Sequence, residues 1–404
     1  MRLRLALTGL VILALVGLVT GTPLVAGAAA FVAGLWALGY RYGQEAERTL
    51  VVDQVSSAVR VALGTPLTLT LAVTNPLRWP IPILEWENDL PDSFDILGET
   101  SHSASSRARR VRLFGRLAVG QQERVLRRIQ VRPTRRGRFV LGPVVLHVRD
   151  PLGIVEWHIE RETPTVVTVY PRLYPVPAEL WRPALARGER RGPPWNPPDP
   201  SRLLGVRPYE PGDPPRLIHP YATARTGKLQ VKRLETEAQD VVELVVLAAT
   251  AAHVWHGIEV DRLEAVVAAA ASASSLYISE GAAVGLSLAG SVYGSPRGLR
   301  LSARRGAPQR DRLLTALAWA QPGGGDASDL ALVLLGLAGR VSPGTPVLIF
   351  TTFYDTSWTP AALRLMAAGA RLAWVAVAYR GRRPTLPNVP VYAWTPGALR
   401  GRAT

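Results

Sequence analysis

Apolar and polar positions divide the chain into three regimes. Residues 5–20 are apolar apart from threonine and glycine, and residues 24–40 repeat that pattern after the break Thr20-Gly21-Thr22-Pro23. Proline at that place cannot continue the first helix. Each run is at the short end of the roughly 17–25 residues needed to cross a bilayer. The expectation is a transmembrane α-hairpin over residues 1–48. Together the runs are too long for one signal-peptide core of about 7–15 residues, although a leader cleaved near the alanine-rich residues 27–30 is the rival reading. Gly27, Ala30 and Gly34 offer small positions for close helix approach.

The second regime, residues 49–176, consists of short runs with turn chemistry between them. Residues 59–63, 67–73, 111–117, 125–131, 144–148 and 166–169 read as strands, with turns at Asn75-Pro76, Arg136-Gly137 and Asp150-Pro151-Leu152-Gly153. Strands at this spacing without helices predict an immunoglobulin-like β-sandwich, suited to a scaffold or docking role. Residues 177–215 are rich in proline and arginine and read as an extended linker or surface strap, with Trp181 and Trp195 available to pin it.

The third regime, residues 216–404, alternates. Residues 241–249 read as a continuous apolar run, as in a strand buried on both faces. Helices are predicted over 261–280, 309–320, 328–340 and 360–368, and strands over 283–288, 299–302, 347–352 and 372–378. Such alternation implies an α/β domain with a mostly parallel sheet. The whole chain is thus expected to be a membrane-anchored multidomain protein.

Charge changes the picture in one respect. The formal net charge is +16, and Lys228 and Lys232 are the only lysines. Residues 107–138 hold twelve arginines with Glu123 as the single acid. No helix-turn-helix, zinc-finger or aromatic RNA-binding pattern accompanies them, so nucleic acid is not an expected partner and the patch reads as a solvated basic face near anionic headgroups. Nucleic-acid binding through it would show a steep salt dependence. Arg2 and Arg4 precede the first apolar run, Arg41 and Arg48 follow the second, and the loop between is uncharged. By the positive-inside rule both flanks, and so the soluble domains, are expected in the cytoplasm, with the lipid bilayer as a partner. Absence of cysteine removes disulfides, thiolate metal sites and thiol nucleophiles.

One stretch carries a family likeness. Tyr209, Pro211, Gly212, Asp213, Arg216, Ile218, Ala222, Thr223, Ala224, Arg225, Thr226, Gly227 and Glu235 resemble the bacterial "domain of unknown function 58" family, which is related to von Willebrand factor A domains. The sequence departs from the family at Pro220, where a tryptophan is usual, and at Tyr221, which replaces a common lysine. The resemblance implies a membrane-anchored protein with a β-sandwich and a von Willebrand A-like α/β domain. It also implies association with a MoxR-type AAA+ ATPase or a neighbouring membrane protein, and no established activity. Within the motif, Arg216 and Arg225 are expected to hold Asp213 or Glu235 in bidentate pairs, fixing the linker against the first strand of the α/β domain.

Domains resembling von Willebrand factor A place a divalent cation at the strand ends, using Asp-x-Ser-x-Ser and later Thr and Asp ligands. Here those positions hold Ala248, Thr250 and Ala252, and Thr351-Thr352 stands where Thr-Asp is expected. Hydroxyls do not replace the lost carboxylates that a hard cation requires, even with Asp355 nearby. A degenerate site without metal or other cofactor is the expectation. His253 and His256, at i,i+3 spacing, begin a transition-metal pattern that finds no third ligand, and they read as packing or surface residues.

The remaining catalytic patterns are incomplete. Gly285-Leu286-Ser287-Leu288-Ala289 lacks the final glycine of a nucleophile elbow. Leu229 follows Gly227-Lys228 where a phosphate-binding loop needs Ser or Thr. Pro322-Gly323-Gly324-Gly325-Asp326 lacks a strand-to-helix context, and no acid/base pair stands out. The expected function is a non-enzymatic membrane-tethered scaffold or adaptor acting by protein contacts. The opposing reading is a metal-dependent binding protein or hydrolase using the switch-point cleft.

Overall fold

The computed structural model describes residues 2–397 apart from 151, 152, 154, 179, 181–197, 237–240, 252–256, 258, 297, 323–326, 380, 382, 383 and 385. The chain forms two compact units, Met1–Tyr170 and Pro171–Thr404.

The first unit begins with helices α1 (Arg2–Val19) and α2 (Pro23–Thr49). Gly21 turns the chain between them at φ +70°, and Pro23 occupies the first turn of α2, where its missing N–H costs nothing. The close approach runs through Gly17, where a Cβ would lie 2.8 Å from the Ala26 backbone nitrogen, with Ala26 and Ala29 buried. Gly27, Ala30 and Gly34, the small face anticipated from sequence, are exposed instead. One residue turns a helix by about 100°, so a neighbouring alanine presents a different face. Among the described residues α2 alone is long and apolar enough to cross a membrane, by length and composition.

α2 continues nine residues beyond the apolar run because residues 41–49 hold helix formers and no proline. That extension enters the β-sandwich. Ala46 and the following Leu50 join its hydrophobic core, the Trp157 indole lies directly over Gly43, and the Tyr42 hydroxyl donates to the Pro80 carbonyl at 2.9 Å.

The sandwich contains β1 (Val51–Ser56), β2 (Arg60–Ala62), β3 (Leu67–Thr74), β4 (Ile81–Pro91), β5 (Phe94–Leu97), β6 (His102–Ala104), β7 (Arg110–Val119), β8 (Arg124–Pro133), β9 (Gly137–Leu141), β10 (Val144–Arg149), β11 (Glu156–Arg161) and β12 (Thr165–Tyr170). Sheets β1-β3-β8-β5 and β11-β10-β4-β7-β6 share one core, and a third sheet, β2-β12-β9, extends the anticipated two-sheet arrangement. From Leu84 to Leu90 of β4 the alternation is strict: Leu84, Trp86 and Leu90 face the core, while Glu85, Glu87 and Asp89 face out. Asn75, fully buried at its bend, donates to Trp79 and Gly120 carbonyls at 2.9 and 2.8 Å and accepts from the Leu77 amide at 3.1 Å.

Early in the second unit Tyr174 and Leu180 lie on a long helix: the Tyr174 amide donates to Ser272 Oγ at 2.8 Å, and the buried Tyr277 hydroxyl donates to the Leu180 carbonyl at 3.0 Å. Part of the stretch anticipated as linker is a strand. β13 (Pro198–Pro208) pairs antiparallel with β14 (Gln230–Thr236), which leaves Trp181 and Trp195 outside the described residues. Between these strands lie a single 3-10 turn and α3 (Pro220–Thr226).

There follow β15 (Val241–Leu247), α4 (Val260–Ser279), β16 (Ala283–Ala289), β17 (Leu299–Arg304), α5 (Ala307–Ala318), α6 (Ala327–Ala338), β18 (Pro346–Thr351), α7 (Thr359–Ala367), β19 (Arg371–Val377) and β20 (Val391–Trp394). They build a six-stranded sheet of order β17-β16-β15-β18-β19-β20, parallel except for the edge strand β17. Every residue of β16 and β18 is buried, as helices on both faces require.

Candidate functional site

The order of the sheet puts its switch point between β15 and β18, since the chain leaves β15 toward β16 and returns on the other side to β18. Ligands of open α/β sheets gather outside such strand ends. The described candidate residues Ala248, Thr250, Thr351 and Thr352 lie there, all buried. Their hydroxyls are engaged internally. Thr250 Oγ1 accepts from the Glu259 amide at 3.0 Å, and Thr352 Oγ1 donates to the Ala249 carbonyl at 3.4 Å. The Trp374 indole donates to Thr351 Oγ1 at 2.8 Å. Asp355 caps the short turn at residues 356–358, accepting from the Ser357 amide at 2.8 Å. Ala252, His253 and His256 lie outside the described residues.

Sequence reasoning missed what closes these strand ends. Phe353, Tyr354, Trp358 and Trp374 form one aromatic cluster: Trp358 and Trp374 stack with centroids 6.0 Å apart, and Tyr354 meets Trp374 edge-on at 5.5 Å. Both indoles are fully buried. The signal was available in the crowding of rings just beyond β18.

A second omission lies inside β15, treated above as apolar. Glu243 is 6% exposed, and its Oε2 has no hydrogen-bond partner. It stands opposite Gly285 on β16, where any Cβ would collide with its carboxylate. Burial pushes this carboxyl up to about 7, partly opposed by Arg300. Ser287 on the same strand as Gly285 also has an unpaired buried hydroxyl, beside a cavity of about 260 Å³ bounded by Arg300 and Arg340.

The family-like motif of the sequence forms a different kind of site, a head on the β13–β14 ribbon. Gly212, at φ +108°, makes the turn that brings Asp213 back onto the ribbon. The guanidinium that grips Asp213 is Arg207, at 2.6 and 2.7 Å, where Arg216 or Arg225 was expected. This fork and the Glu210 amide hold the Asp213 carboxyl below its ordinary range. Arg207 fits because it ends β13 facing the turn, whereas Arg216 and Arg225 lie on helical segments that point outward.

The rest of the head is bonded to itself. His219 Nδ1 accepts from the Ala222 amide at 3.2 Å, capping α3, and Pro220 supplies the first turn. Thr223 Oγ1 accepts from the Gln230 amide, and Thr226 Oγ1 donates to the Ala222 carbonyl. Gly227, left-handed at φ +68°, ends the helix. The Tyr209 amide donates to the Leu229 carbonyl across the neck, and Ile218 bridges to Val231. Arg216, Tyr221, Ala224, Arg225 and Lys228 remain exposed, and neither Arg216 nor Arg225 has an ion-pair partner among the described residues. The backbone of Glu235 lies in β14. Among the described residues the motif bonds within its own ribbon, with Arg207 in place of the expected Arg216 or Arg225 as the partner of Asp213.

The basic patch is also partly resolved. On the outer face of the five-stranded sheet Arg116 pairs with Glu85 at 2.9 Å, Arg112 with Glu87 at 3.4 Å, and Arg107 with Glu160 at 3.1 Å. Arg112 and Arg116 of β7 are thus neutralised by acids of β4, and Arg107, ahead of β7, by an acid of β11. Arg127, Arg128 and Arg132 of β8 stay exposed without an ion pair among the described residues.

Comparison with known families gives one match to part of the chain. Residues 205–395 match the model of the family described as Protein of unknown function DUF58. The match begins in β13, takes in the ribbon head and the whole six-stranded sheet, and ends just past β20. It supports the likeness carried by the motif. No curated protein matches the chain.

Solved structures similar to parts of the chain include a type II cohesin domain from the cellulosome of Acetivibrio cellulolyticus, at 7% identity, 30% of this chain, 95% of that one and TM-score 0.23. A cohesin module from a Clostridium perfringens family 33 glycoside hydrolase matches at 12% identity, 30% and 98% coverage and TM-score 0.22. The CARDB domain of a Pyrococcus furiosus protein matches at 17% identity, 30% and 91% coverage and TM-score 0.18. Likeness at this level assigns neither a fold family nor a role.

Proposed function

We propose that the protein is a membrane-tethered, non-enzymatic scaffold whose ribbon head docks a protein partner. The observation that carries this reading is the contrast within the head. Its inner polar groups bond to one another, while Arg216, Tyr221, Arg225 and Lys228 project from it. A head already ordered loses little conformational freedom on binding. Arginine and tyrosine are the side chains from which interface hot spots are most often built, and the cluster of cations favours an acidic partner surface. The family resemblance points to a MoxR-type AAA+ ATPase, or a neighbouring membrane protein, as that partner.

The six-stranded sheet is read as a von Willebrand A-like domain whose cation site has been replaced by hydroxyl–backbone bonds and indoles. A hydrolase or cation-dependent role at these strand ends finds no support, because the oxygens of Thr250, Thr351 and Thr352 are already engaged. The N-terminal hairpin is read as the anchor. Trp36 and Tyr40 stack at the end of the apolar run of α2, and the exposed Trp79 lines one hollow with Leu38 and Tyr42 of that helix, the aromatic placement favoured at a membrane interface. Arg2, Arg4, Arg41 and Arg48 favour a cytoplasmic location for both units.

The test is crosslinking of the full chain in native membranes to a co-expressed MoxR-type ATPase. Arg225→Glu combined with Tyr221→Ala is expected to lower the crosslinked yield about tenfold, the size of a modest hot-spot loss, with unchanged thermal unfolding. Equal yields from variant and parent overturn the docking reading. Stoichiometric magnesium, calcium or manganese lost on Thr250→Ala overturns the closed strand ends.

A further inference from the structure

The outer face of the five-stranded sheet brings two of the chain's six histidines together. His147 of β10 stands directly opposite His158 of β11, and Glu85 of β4 stands opposite His147 on its other side. The two imidazoles meet edge to face with centroids 4.5 Å apart. One ligand atom from each of His147, Glu156 and His158 lies within 4.8 Å of the other two.

The neighbouring carboxylates are divided in a regular way. Glu156 turns Oε1 toward His147 Nδ1 at 3.5 Å and Oε2 toward Arg149 Nε at 3.5 Å. Glu87 turns Oε1 toward His147 Nε2 at 3.6 Å and Oε2 toward Arg112 Nη1 at 3.4 Å. His147 Nε2 is buried and makes no hydrogen bond. Each glutamate thus keeps one oxygen for the histidine and gives the other to an arginine.

We propose that His147, His158 and Glu156 form a binding site for a divalent transition-metal ion of the zinc class. Two neutral imidazoles and one carboxylate are a donor set zinc commonly takes, with water in the fourth position. Glu87 then orients His147 from its far nitrogen, the carboxylate–histidine–metal arrangement that fixes ring direction and raises ligand basicity. Arg149 and Arg112 hold the remote carboxylate oxygens and set their orientation.

An ion-pair face alone accounts for less. A protonated His147 between two glutamates needs no second imidazole at its edge, and two protonated rings this close repel each other. A metal ion uses both rings in their neutral form. The site also has a structural consequence. β11 is the edge strand of its sheet, and Trp157, between the two ligands of that strand, is the ring that covers Gly43 of α2. A bound ion ties β11 to β10 and so holds Trp157 against the helix.

The experiment uses the untagged full chain in detergent, stripped with EDTA and titrated with Zn²⁺, and with Co²⁺ for its visible spectrum. Saturable binding of one equivalent is expected. His158→Gln and Glu156→Gln, both at exposed positions, should weaken it at least about tenfold. His102→Gln and the pair His253→Gln with His256→Gln should leave it unchanged. X-ray absorption of the wild-type zinc complex, which needs no variant to fold, should show two imidazole ligands. Absence of saturable binding, binding unaffected by His158→Gln, loss of binding in the His253/His256 variant, or fewer than two imidazoles overturns the proposal.

Discussion

The five-stranded sheet of the sandwich and the six-stranded sheet of the α/β unit bury their strands differently, and this decides where each can hold chemistry. The antiparallel sheet wets one face. Its strands alternate, so β4, β10 and β11 carry Glu85, Glu87, His147, Glu156 and His158 outward while Trp86, Leu146 and Ile159 fill the core. The parallel sheet is covered on both faces, leaving only strand ends for polar function. At β15 and β18 those ends are closed by Trp374, Trp358 and internally bonded threonines. Ligand atoms thus collect on the flank of one sheet, and in the other unit on a ribbon outside its sheet.

The sharpest way to break this contrast is to open the closed end. Trp374→Ala removes a fully buried indole and its bond to Thr351. The α/β unit should lose about 3–5 kcal/mol of stability, measured by denaturant unfolding with hydrogen exchange read on β18 and β19. A cost well below this would mean the strand ends have room to collapse or to admit a ligand.

Next in size is the one charge that violates the rule of a covered sheet. Glu243 has its carboxyl raised from 4.5 to about 7, chiefly by burial. Between those values the fold binds more protons than the unfolded chain, so stability is fully present below pH 4.5 and falls as pH rises toward 7. The shift corresponds to a loss on the order of 3 kcal/mol. Glu243→Gln should remove that fall, making the variant the more stable protein above pH 7. Parallel pH profiles for the two proteins would show instead that Glu243 finds a charged partner, and the sheet would then hold a polar site after all.

How legible these features were follows from the same contrast. Continuous apolar runs and alanine-rich helices made β15, β18, β19 and α4 readable to within a few residues. β4 escaped because Pro82, Glu85, Glu87 and Asp89 are poor strand formers, and only their inward partners Leu84, Trp86 and Leu90 reveal the period of two. β13 escaped because prolines at 198, 200 and 208 imitate a linker; pairing along one edge with β14 tolerates them. The closing of the β15 and β18 ends by Trp374 was not readable, since its strand lies far along the chain. His147 and His158 are eleven residues apart, and only the hairpin register makes them neighbours.

A smaller effect tests whether the sandwich depends on buried polar bonding as the parallel sheet depends on its indoles. Asn75→Ala leaves the Leu77 amide and the Trp79 and Gly120 carbonyls without their partner. The first unit should lose about 1–3 kcal/mol, seen as faster exchange of the Leu77 amide and of β8. A neutral substitution would indicate that water replaces the side chain, making this bend wetter than its burial implies.

The smallest effect concerns the ribbon head, which belongs to neither sheet. Asp213 owes its lowered carboxyl first to the Arg207 bond and then to the Glu210 amide. That contribution, which closes the turn locally, is present above the ordinary value of 3.8 and is lost as pH falls through the still lower value in the fold. Asp213→Asn keeps an acceptor but loses the charge, so global unfolding should stay unchanged at neutral pH. The Glu210 and Asp213 amides should exchange faster, because the turn opens without disturbing the six-stranded sheet. If the variant instead lowers protection across β15 and β18, the head is part of the sheet's own stability, and the separation between a closed core and an external docking element fails.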